Sequence, residues 1–263
     1  MAHIISIANQ KGGVGKTTTA VNLSASLAIS EKRTLLVDCD PQANATTGIG
    51  VDKTAIKKTL YHAMLGETDL NSIIVDTQIE FLKAIPSNIE LIGFEVEMMS
   101  LPDREKVLKN LLAGIRDSFD YIILDCPPSL SLLTVNALTA SDSLLIPLQC
   151  EFYALEGLGQ LLHTVKRIRQ SLNPGLKIGG ILLTMYDKRT NLSMQVAEDA
   201  ERHFRNLVFK TIVHRSVRLG EAPSFGKPII LYDAASTGAR SYVNLAKEIL
   251  DSAVSRPLKN VQF

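Results

Sequence analysis

The feature that most constrains this chain is a glycine-rich segment close to its N-terminus. Residues 10–18 read QKGGVGKTT, and they directly follow the apolar run at residues 4–8. A buried strand that enters a glycine-rich turn, which in turn opens a helix, is the context that a phosphate-binding loop requires. The segment therefore predicts a site for a nucleoside triphosphate, held between a strand and a helix of an α/β fold.

The chemistry of the loop assigns a role to each part of it. Glycines allow the backbone to curl its N–H groups around an anion, and the helix N-terminus adds partial positive charge. Lys16 is expected to reach the outer phosphates, and the Thr17 hydroxyl is expected to bind Mg²⁺. The residues predicted to contact the nucleotide in this segment are Gly12, Gly13, Val14, Gly15, Lys16, Thr17 and Thr18.

Carboxylates follow two further apolar runs. Residues 33–38 predict a strand that ends at Asp38 and leads into Asp40, and residues 121–125 predict a strand that ends at Asp125. Parallel strands present functional residues at their carboxyl ends, so all three carboxylates are expected to face the nucleotide. Asp125 is expected to hold Mg²⁺ directly or through water. For Asp38 and Asp40 the alternative is a cap or turn residue at a strand end.

Length and composition predict one domain. The 263 residues are 46% hydrophobic, which is enough for one large core, and the predicted domain spans residues 1–263. No apolar run approaches the roughly 18 residues of a membrane span, and no signal-peptide pattern is seen. Because the loop begins at residue 10, no DNA-reading domain is expected before it. Cys39, Cys126 and Cys150 lack metal-ligand spacing, which predicts reduced thiols in a cytoplasmic protein.

Charge is distributed unevenly along the chain. Residues 1–161 contain 12 Lys and Arg against 19 Asp and Glu, whereas residues 162–263 contain 16 against 8, although the whole chain carries a net charge of only +1. Such asymmetry predicts a basic surface in the second part of the chain that could meet a polyanion. The alternative is a solvated basic surface without a partner.

Alternating apolar runs and amphipathic stretches predict a doubly wound, mostly parallel sheet with helices on both faces. Further strands are predicted at residues 73–75, 81–86, 143–148, 178–184 and 211–213. Helices are predicted at residues 54–65, 89–100, 103–118, 154–172 and 238–254. The last of these carries an apolar stripe of Tyr242, Leu245, Ala246, Ile249, Leu250 and Ala253.

A second lysine in the loop, Lys11, carries a family resemblance. The run KGGVGKTT resembles the deviant P-loop (deviant Walker A motif) of the ParA/Soj partition ATPases, whose relatives include MinD and the nitrogenase iron protein. Three other segments support the resemblance: residues 40–42 (DPQ), 125–129 (DCPPS) and 218–228. It covers nearly the whole chain and is closest to the short, chromosomal-type members. Ala43 departs from the pattern, because the family more often has glycine there.

The resemblance implies a mechanism. Each subunit would bind ATP and Mg²⁺ and hydrolyse ATP slowly, with Lys11, Lys16 and Asp40 as catalytic residues. Lys11 would cross a homodimer interface to the phosphates of the partner, and Asp40 would position the attacking water. Met185, at the start of a loop predicted at residues 185–189, and Pro223 would lie near the base. The ATP dimer would bind double-stranded DNA without sequence preference, and a ParB-type partner would stimulate hydrolysis during chromosome or plasmid segregation.

Two questions stay open from the sequence. Arg189 and Arg218 match positions that bind DNA in the family, with Lys166, Arg167 and Lys227 as weaker candidates; the alternative is that they form surface salt bridges. The rival function is a MinD-like membrane-cycling ATPase, or one that positions another cargo. The last helix lacks the dense basic flank of a membrane binder, so core packing, no membrane contact and a nucleoid-associated cytoplasmic protein are expected.

Overall fold

The apolar runs of the sequence form one eight-stranded sheet. The structure, a computed structural model, describes residues 1–152 and 154–255. The strands are β1 (His3–Ile7), β2 (Thr34–Asp38), β3 (Val75–Asp76), β4 (Leu82–Ile85), β5 (Tyr121–Asp125), β6 (Ser143–Gln149), β7 (Lys177–Tyr186) and β8 (Val208–His214). Their order across the sheet is β3-β4-β2-β5-β1-β6-β7-β8. All neighbours are parallel except β3 and β4, so the prediction of a mostly parallel sheet is confirmed.

Helices cover both faces of this sheet. They are α1 (Lys16–Ile29), α2 (Asn44–Gly48), α3 (Leu60–Met64), α4 (Gly93–Glu97), α5 (Val107–Ala113), α6 (Leu132–Ala140), α7 (Ala154–Ser171), α8 (Asn191–Phe204), α9 (Val217–Glu221), α10 (Ile229–Tyr232) and α11 (Thr237–Ser255). Helices α3 to α8 contribute to one apolar cluster, and α1, α2 and α9 to α11 contribute to the other. Because both faces are covered, the central strands are buried along their whole length, as their continuous apolar sequences require.

Helical segments between β2 and β5 are shorter than the sequence predicts. The helix predicted at residues 54–65 begins only at Leu60, because Thr59 and His62 form a capping box there. Residues 103–118 form two 3₁₀ turns, Arg104–Lys106 and Arg116–Ser118, on either side of α5, which ends before Gly114. A 3₁₀ turn at Ile89–Ile92 precedes α4. Another at Leu70–Ile73 includes the first residue of the strand predicted at residues 73–75, of which only Val75 lies in β3.

The short helices α2, α9 and α10 and two longer ones, α6 and α8, were not predicted from the sequence. Helix α6 is apolar on nearly all sides and is buried next to the sheet, so it shows no helical period. Helix α8 buries only Ser193, Val196 and Ala200, which form too small a stripe to stand out. In α11, by contrast, the predicted stripe packs in the core: Tyr242, Leu245 and Ala246 are at most 1% exposed. The side chain of Ala253 lies outside the described residues, as do residues 153 and 256–263.

The amino ends of the strands form an edge that is closed by paired polar groups. Arg33 makes two hydrogen bonds to the carboxylate of Asp120 through its guanidinium. Arg116 pairs with Asp142, and the same carboxylate accepts the amide of Ile4 at 2.8 Å. These contacts join β1, β2 and the segments that precede β5 and β6, so this edge is held by charge as well as by apolar packing.

The outer strand β8 is also protected. Glu248 of α11 accepts the backbone amides of Lys210 at 2.9 Å and Thr211 at 3.1 Å. Ser241 of the same helix donates to the carbonyl of Ile212 at 3.0 Å. Helix α11 therefore bonds to the backbone of the edge strand as well as packing on the sheet face. Among the described residues, no helix combines the length and apolar character needed to cross a membrane.

Candidate nucleotide site

The glycine-rich segment forms an open loop between β1 and α1. Gly13 has φ of +73° and Gly15 has φ of +87°, a left-handed conformation that glycine adopts without steric cost. Apart from the adjoining residues, no atom of the described chain lies within 4 Å of the position that a Cβ would take at Gly12 or Gly13. Helix α1 begins at Lys16 without a side-chain cap on its first amides. The loop is therefore an open concave backbone at an uncapped helix N-terminus, as phosphate binding requires.

Long-range contacts hold the loop in place. Asn9 accepts the amide of Lys11 at 3.1 Å and donates its own amide to the carbonyl of Pro147 in β6 at 2.7 Å. Thr184 in β7 donates to the carbonyl of Val14 at 2.9 Å. Sequence reasoning missed both anchors: Asn9 adjoins the motif and could have been considered, but nothing in the sequence marks Thr184.

Lys16 lies within the loop, as predicted. It is 6% exposed, and its ammonium donates to the carbonyl of Lys11 at 2.9 Å. Burial lowers the pKa of Lys16, and the nearby Asp125 carboxyl partly offsets this effect. The side chain is thus folded onto the loop, next to the carboxylate predicted to bind Mg²⁺.

Asp125 provides the test of whether a metal ion fits here. Both of its carboxylate oxygens are buried, and within residues 1–152 and 154–255 neither has a hydrogen-bond partner of ordinary geometry. Burial raises the pKa of Asp125 well above its usual value and Asp38 adds to this, while the Thr17 side chain and Lys16 lie near enough to lower it. Leaving a buried carboxylate unpaired is costly, and a hard divalent cation prefers oxygen ligands. Asp125 and Thr17 therefore fit a Mg²⁺ ion.

Asp38 and Asp40 have different surroundings. Asp38 pairs in register with Asp125 on the neighbouring strand, and its carboxylate accepts the amide and hydroxyl of Thr46 and the amide of Asp40. Burial raises the pKa of Asp38 to about 6. Asp38 thus organises the loop after β2. Asp40 is 7% exposed, and its Oδ1 accepts the amide of Gln42 at 2.9 Å.

Ala43 occupies a conformation that explains the family preference for glycine. Its φ is +54° and it caps the start of α2, in the left-handed region where a Cβ is costly. The same short helix contains Thr46, the partner of Asp38. The loop that follows β2 is therefore strained next to the site, and the departure from the family pattern at Ala43 has a steric cost.

The predicted base-contacting residues lie at the same edge. Met185 is the penultimate residue of β7 instead of the first residue of a loop, so the predicted loop begins only at Asp187. Its φ is +50°, at a point where the pairing of β7 with β8 is irregular. Pro223 lies in a 3₁₀ turn, Ala222–Phe225, which follows β8 and α9. Both residues are half-buried; Met185 lies near the carboxyl end of β7, and Pro223 lies in the turn that comes after β8 and α9.

The two predicted DNA-binding arginines are paired with carboxylates on the surface. Arg189 makes two guanidinium hydrogen bonds to Asp187, at 2.9 and 2.7 Å, and these lower the pKa of Asp187. Arg218 contacts Glu221 at 3.1 Å and lies 3.6 Å from Asp233. The side chains of Arg189 and Arg218 are still 81% and 57% exposed. They follow β7 and β8, whose ends are joined by a hydrogen bond from the Arg215 amide to the Tyr186 carbonyl at 3.1 Å.

The weaker basic candidates do not all gather with them. Lys166 and Arg167 are exposed, but they lie in the second half of α7, more than 10 residues after its start. At 1.5 Å per residue this places them roughly 18 Å along the helix, away from the edge at which it begins. Lys227 lies close to Arg218 in sequence, just after the turn that contains Pro223, and is exposed. Lys227 therefore lies near Arg218 along the chain, whereas helix geometry separates Lys166 and Arg167 from the edge at which α7 begins.

Comparison with known proteins gives a consistent result. A family model described as an AAA domain matches residues 2–178. The chain is 55% identical over 249 residues to the sporulation initiation inhibitor protein Soj of Bacillus subtilis, covering 95% of this chain and 98% of that protein. It is 53% identical over 250 residues to the chromosome partitioning protein ParA of Myxococcus xanthus, covering 95% of this chain and 88% of that protein.

A solved structure shares the fold of this chain. Cobyrinic acid a,c-diamide synthase from Mycobacterium smegmatis, crystallised with ADP and magnesium, superposes with a TM-score of 0.86 at 35% identity and covers the full length of both chains. The α/β fold with its open loop is thus one that binds an adenine nucleotide with magnesium in that protein.

Proposed function

Because the chain belongs to the Soj/ParA family of chromosome-partitioning ATPases, we propose that it is an ATP-driven switch that binds DNA as a dimer. ATP and Mg²⁺ are its ligands, and the whole chain acts as one ATPase domain. The observation that carries the proposal is Asp125, whose buried carboxylate lies beside Lys16 and an open phosphate loop and has no hydrogen-bond partner of ordinary geometry in the described part of the chain. Such an arrangement is costly unless a cation and an anion complete it.

Different groups at the loop bind the phosphates and the metal ion. The amides of residues 12–18 and the Lys16 ammonium hold the phosphates, and Thr17 and Asp125 hold Mg²⁺. When bound, the metal neutralises charge on the phosphates. Lys16 must release the carbonyl of Lys11 to reach them, an exchange that is favourable because a phosphate is a charged acceptor.

Asp40 is the residue that orients the attacking water. One of its oxygens is fixed by the Gln42 amide, so the other is held in a defined direction at the site. A carboxylate that holds a water molecule in place lowers the activation barrier of ATP hydrolysis by orienting the water toward the phosphate. It needs no unusual pKa to do so. Slow intrinsic hydrolysis suits a switch whose ATP state must last until a ParB-type partner stimulates it.

Dimerisation would couple ATP to DNA. In the proposed dimer each Lys11 reaches the phosphates of the partner, and two copies of Arg189, Arg218 and Lys227 act as one basic surface. DNA affinity then depends on ATP through avidity, because each subunit alone makes too few phosphate contacts. The carboxylates that now pair with the arginines are compatible with this role, since exposed ion pairs are weak and phosphates can replace them.

The experiment measures binding of a fluorescent DNA duplex against salt concentration, with the non-hydrolysable analogue AMPPNP, with ADP and without nucleotide. We expect binding only with AMPPNP, and loss of binding in the double variant Arg189→Glu, Arg218→Glu. The salt slope should fall by roughly 0.9 for each phosphate contact removed, or roughly 3.6 for the four arginines of a dimer. Lys11→Ala should bind AMPPNP but remain monomeric by light scattering.

The matched control is the double variant Arg167→Glu, Arg202→Glu. It makes the same charge change at exposed arginines of α7 and α8. Equal losses in both double variants would reduce the effect to net charge and contradict the proposed surface. Binding of AMPPNP-loaded protein to anionic liposomes instead of DNA would favour the membrane-cycling alternative. ATP-dependent dimerisation without binding to DNA or to liposomes would favour a function that positions another cargo.

A further inference from the structure

Lys11 is paired with a carboxylate of its own chain. Its ammonium lies 2.8 Å from Oε2 of Glu151, just beyond the end of β6. In sequence the two residues are 140 positions apart, so the contact depends on the fold. The lysine proposed to reach across the dimer is therefore held, in the free subunit, by a residue that the sequence did not single out.

The fold holds Glu151 in a defined position. Its other carboxylate oxygen accepts the side-chain amide of Gln149, the last residue of β6. Its backbone amide also bonds to the carbonyl of Gln149 at 2.8 Å, and its carbonyl accepts the amide of Ala154 at the start of α7. A tight turn thus fixes the backbone on both sides of Glu151, while its side chain remains 44% exposed.

Lys11 is fixed less firmly than Glu151. The Lys11 side chain is 37% exposed, and its backbone amide is bonded to Asn9 while its carbonyl accepts the Lys16 ammonium. The backbone of Lys11 thus belongs to the phosphate loop, whereas its ammonium can leave Glu151 by side-chain rotation alone. Exchange of one acceptor for another requires no change in the fold.

We infer that Glu151 is a positioning residue that acts through Lys11: it holds the Lys11 ammonium within the free subunit, and dimer closure exchanges this carboxylate for the phosphates bound by the partner. The inference rests on the proposed function, in which Lys11 crosses the interface. An ion pair that exists in the monomer and breaks in the dimer shifts the equilibrium toward the monomer by its own free energy. Glu151 thereby opposes dimerisation until a nucleotide supplies a stronger acceptor.

The size of the effect follows from the exposure of the pair. Ion pairs between exposed side chains are weak, and a two-fold symmetric dimer breaks two of them. Removing both should tighten the AMPPNP dimer by between about twofold and about thirtyfold in dissociation constant. A pair of this strength restrains the monomer and can still be replaced by phosphate.

Glu151→Gln is the informative variant, because it keeps the size of the side chain and removes its charge. By analytical ultracentrifugation, the dissociation constant of its AMPPNP dimer should decrease by the factor given above. The affinity of the monomer for AMPPNP should stay unchanged at low protein concentration. Glu80→Gln is the matched control: it makes the same change at an exposed glutamate just before β4, at the opposite edge of the sheet. It should leave the dimer constant unaltered.

A second readout needs no nucleotide. Acetylation of Lys11 by acetic anhydride, followed by peptide mass spectrometry, reports how freely its amine reacts. Glu151→Gln should increase the Lys11 rate severalfold relative to that of an exposed reference lysine, Lys57, whereas Glu80→Gln should not. A readout confined to one amine is not expected to move if Glu151 merely supports the local turn.

The outcomes separate this inference from the proposed function. If wild-type protein stays monomeric with AMPPNP, the proposed dimer fails and the role of Glu151 fails with it. If the wild type dimerises and Glu151→Gln leaves its dissociation constant unchanged, the role of Glu151 is refuted and the proposed function stands. Faster acetylation without a tighter dimer would likewise overturn it, because the ion pair would then exist without restraining closure.

Discussion

The two edges of the sheet differ in how completely their polar groups are paired. At the amino edge Arg33 is bonded to Asp120, and Arg116 to Asp142, so these four charged groups have partners within the chain. At the carboxyl edge the two carboxylate oxygens of Asp125 have no hydrogen-bond partner of ordinary geometry among the described residues. Folding thus pairs these charges at the amino edge and leaves a buried carboxylate unpaired at the carboxyl edge.

Backbone geometry is divided less sharply than charge pairing. Positive φ occurs at Ala43 and Met185 at the carboxyl edge, but also at Glu31 and Arg205, which precede β2 and β8 at the amino edge. Unpaired buried polar atoms cost free energy, and they persist only where the surrounding structure enforces them. The difference teaches that the unpaired carboxylate of Asp125, rather than backbone strain, distinguishes the edge at which a ligand can offset the cost. Four substitutions test that division.

The largest effect of the four substitutions is expected from Lys16→Ala, as a loss of ATP affinity. Two charge-assisted hydrogen bonds to phosphate, at about 1.5–3 kcal/mol each, correspond to roughly a 10²–10⁴-fold loss in ATP affinity. Isothermal titration calorimetry measures it directly. Wild-type affinity in this variant would remove the phosphate loop from the site, and an unaltered melting curve without nucleotide would show that the variant is folded.

Asp40→Ala should separate binding from hydrolysis. A lost water-positioning carboxylate is expected to slow single-turnover hydrolysis by about 100-fold, while ATP binding and dimerisation persist. Rapid-quench measurement of phosphate release provides the test. Should hydrolysis continue at the wild-type rate, the positioning role passes to another group, with Asp38 the next candidate.

Asp125→Asn should stabilise the nucleotide-free and magnesium-free protein. Burial raises the pKa of Asp125, so the folded state retains a proton that the unfolded state has lost once the pH exceeds about 4. The wild type therefore loses stability as the pH rises through that window, and the neutral variant does not. By urea unfolding near pH 8, we expect the free energy of unfolding of the variant to exceed that of the wild type by roughly 1–3 kcal/mol. Near pH 5 the difference should be smaller. Asp251→Asn, an exposed change on α11, serves as the control.

His3→Gln tests the amino edge. There we expect stability to be lost as the pH falls, which is opposite to the pH dependence of stability expected from Asp125. His3 bonds to Ser143 at 2.9 Å, and burial lowers its pKa despite Asp142 nearby, with Arg116 and Lys177 adding to the decrease. Stability from neutral His3 is complete above about pH 6.5 and is lost as the pH falls toward the folded pKa.

The variant should thus be less acid-sensitive than the wild type, with the smallest change of the four. Urea unfolding at about pH 7.5 and about pH 5.5 measures it, with His203→Gln on α8 as the exposed control. An identical pH dependence in His3→Gln and wild type would show that this edge does not contribute to acid sensitivity.

Much of the fold could be predicted because the central strands are buried on both faces. The apolar runs at residues 4–8, 33–38, 121–125 and 143–148 all became strands of the sheet. Prediction failed where burial gives no period, as in α6, or where a cap and a glycine decide the ends of a helix, as at Thr59 and Gly114. These are local effects of single residues that an apolar pattern does not report.

For the site, the sequence predicted the residues that share a short motif and missed those that the fold brings to it. The loop and Asp125 are continuous with strands, so their position follows from the order of strand, turn and helix. Thr184 and Glu151 reach the loop from β7 and the end of β6, far away in sequence. Such contacts depend on the order of strands in the sheet, which spacing in the chain does not reveal.

The bonding of Glu248 to β8 has a consequence for behaviour in a crowded cell. An uncovered edge strand is a template on which another strand can add, and repeated addition leads to aggregates. Two amides of β8 are already occupied by the carboxylate of Glu248, and a carbonyl is occupied by Ser241. If the protein gathers at high local concentration on DNA, as we propose, these bonds protect this part of β8 against strand addition between neighbouring molecules.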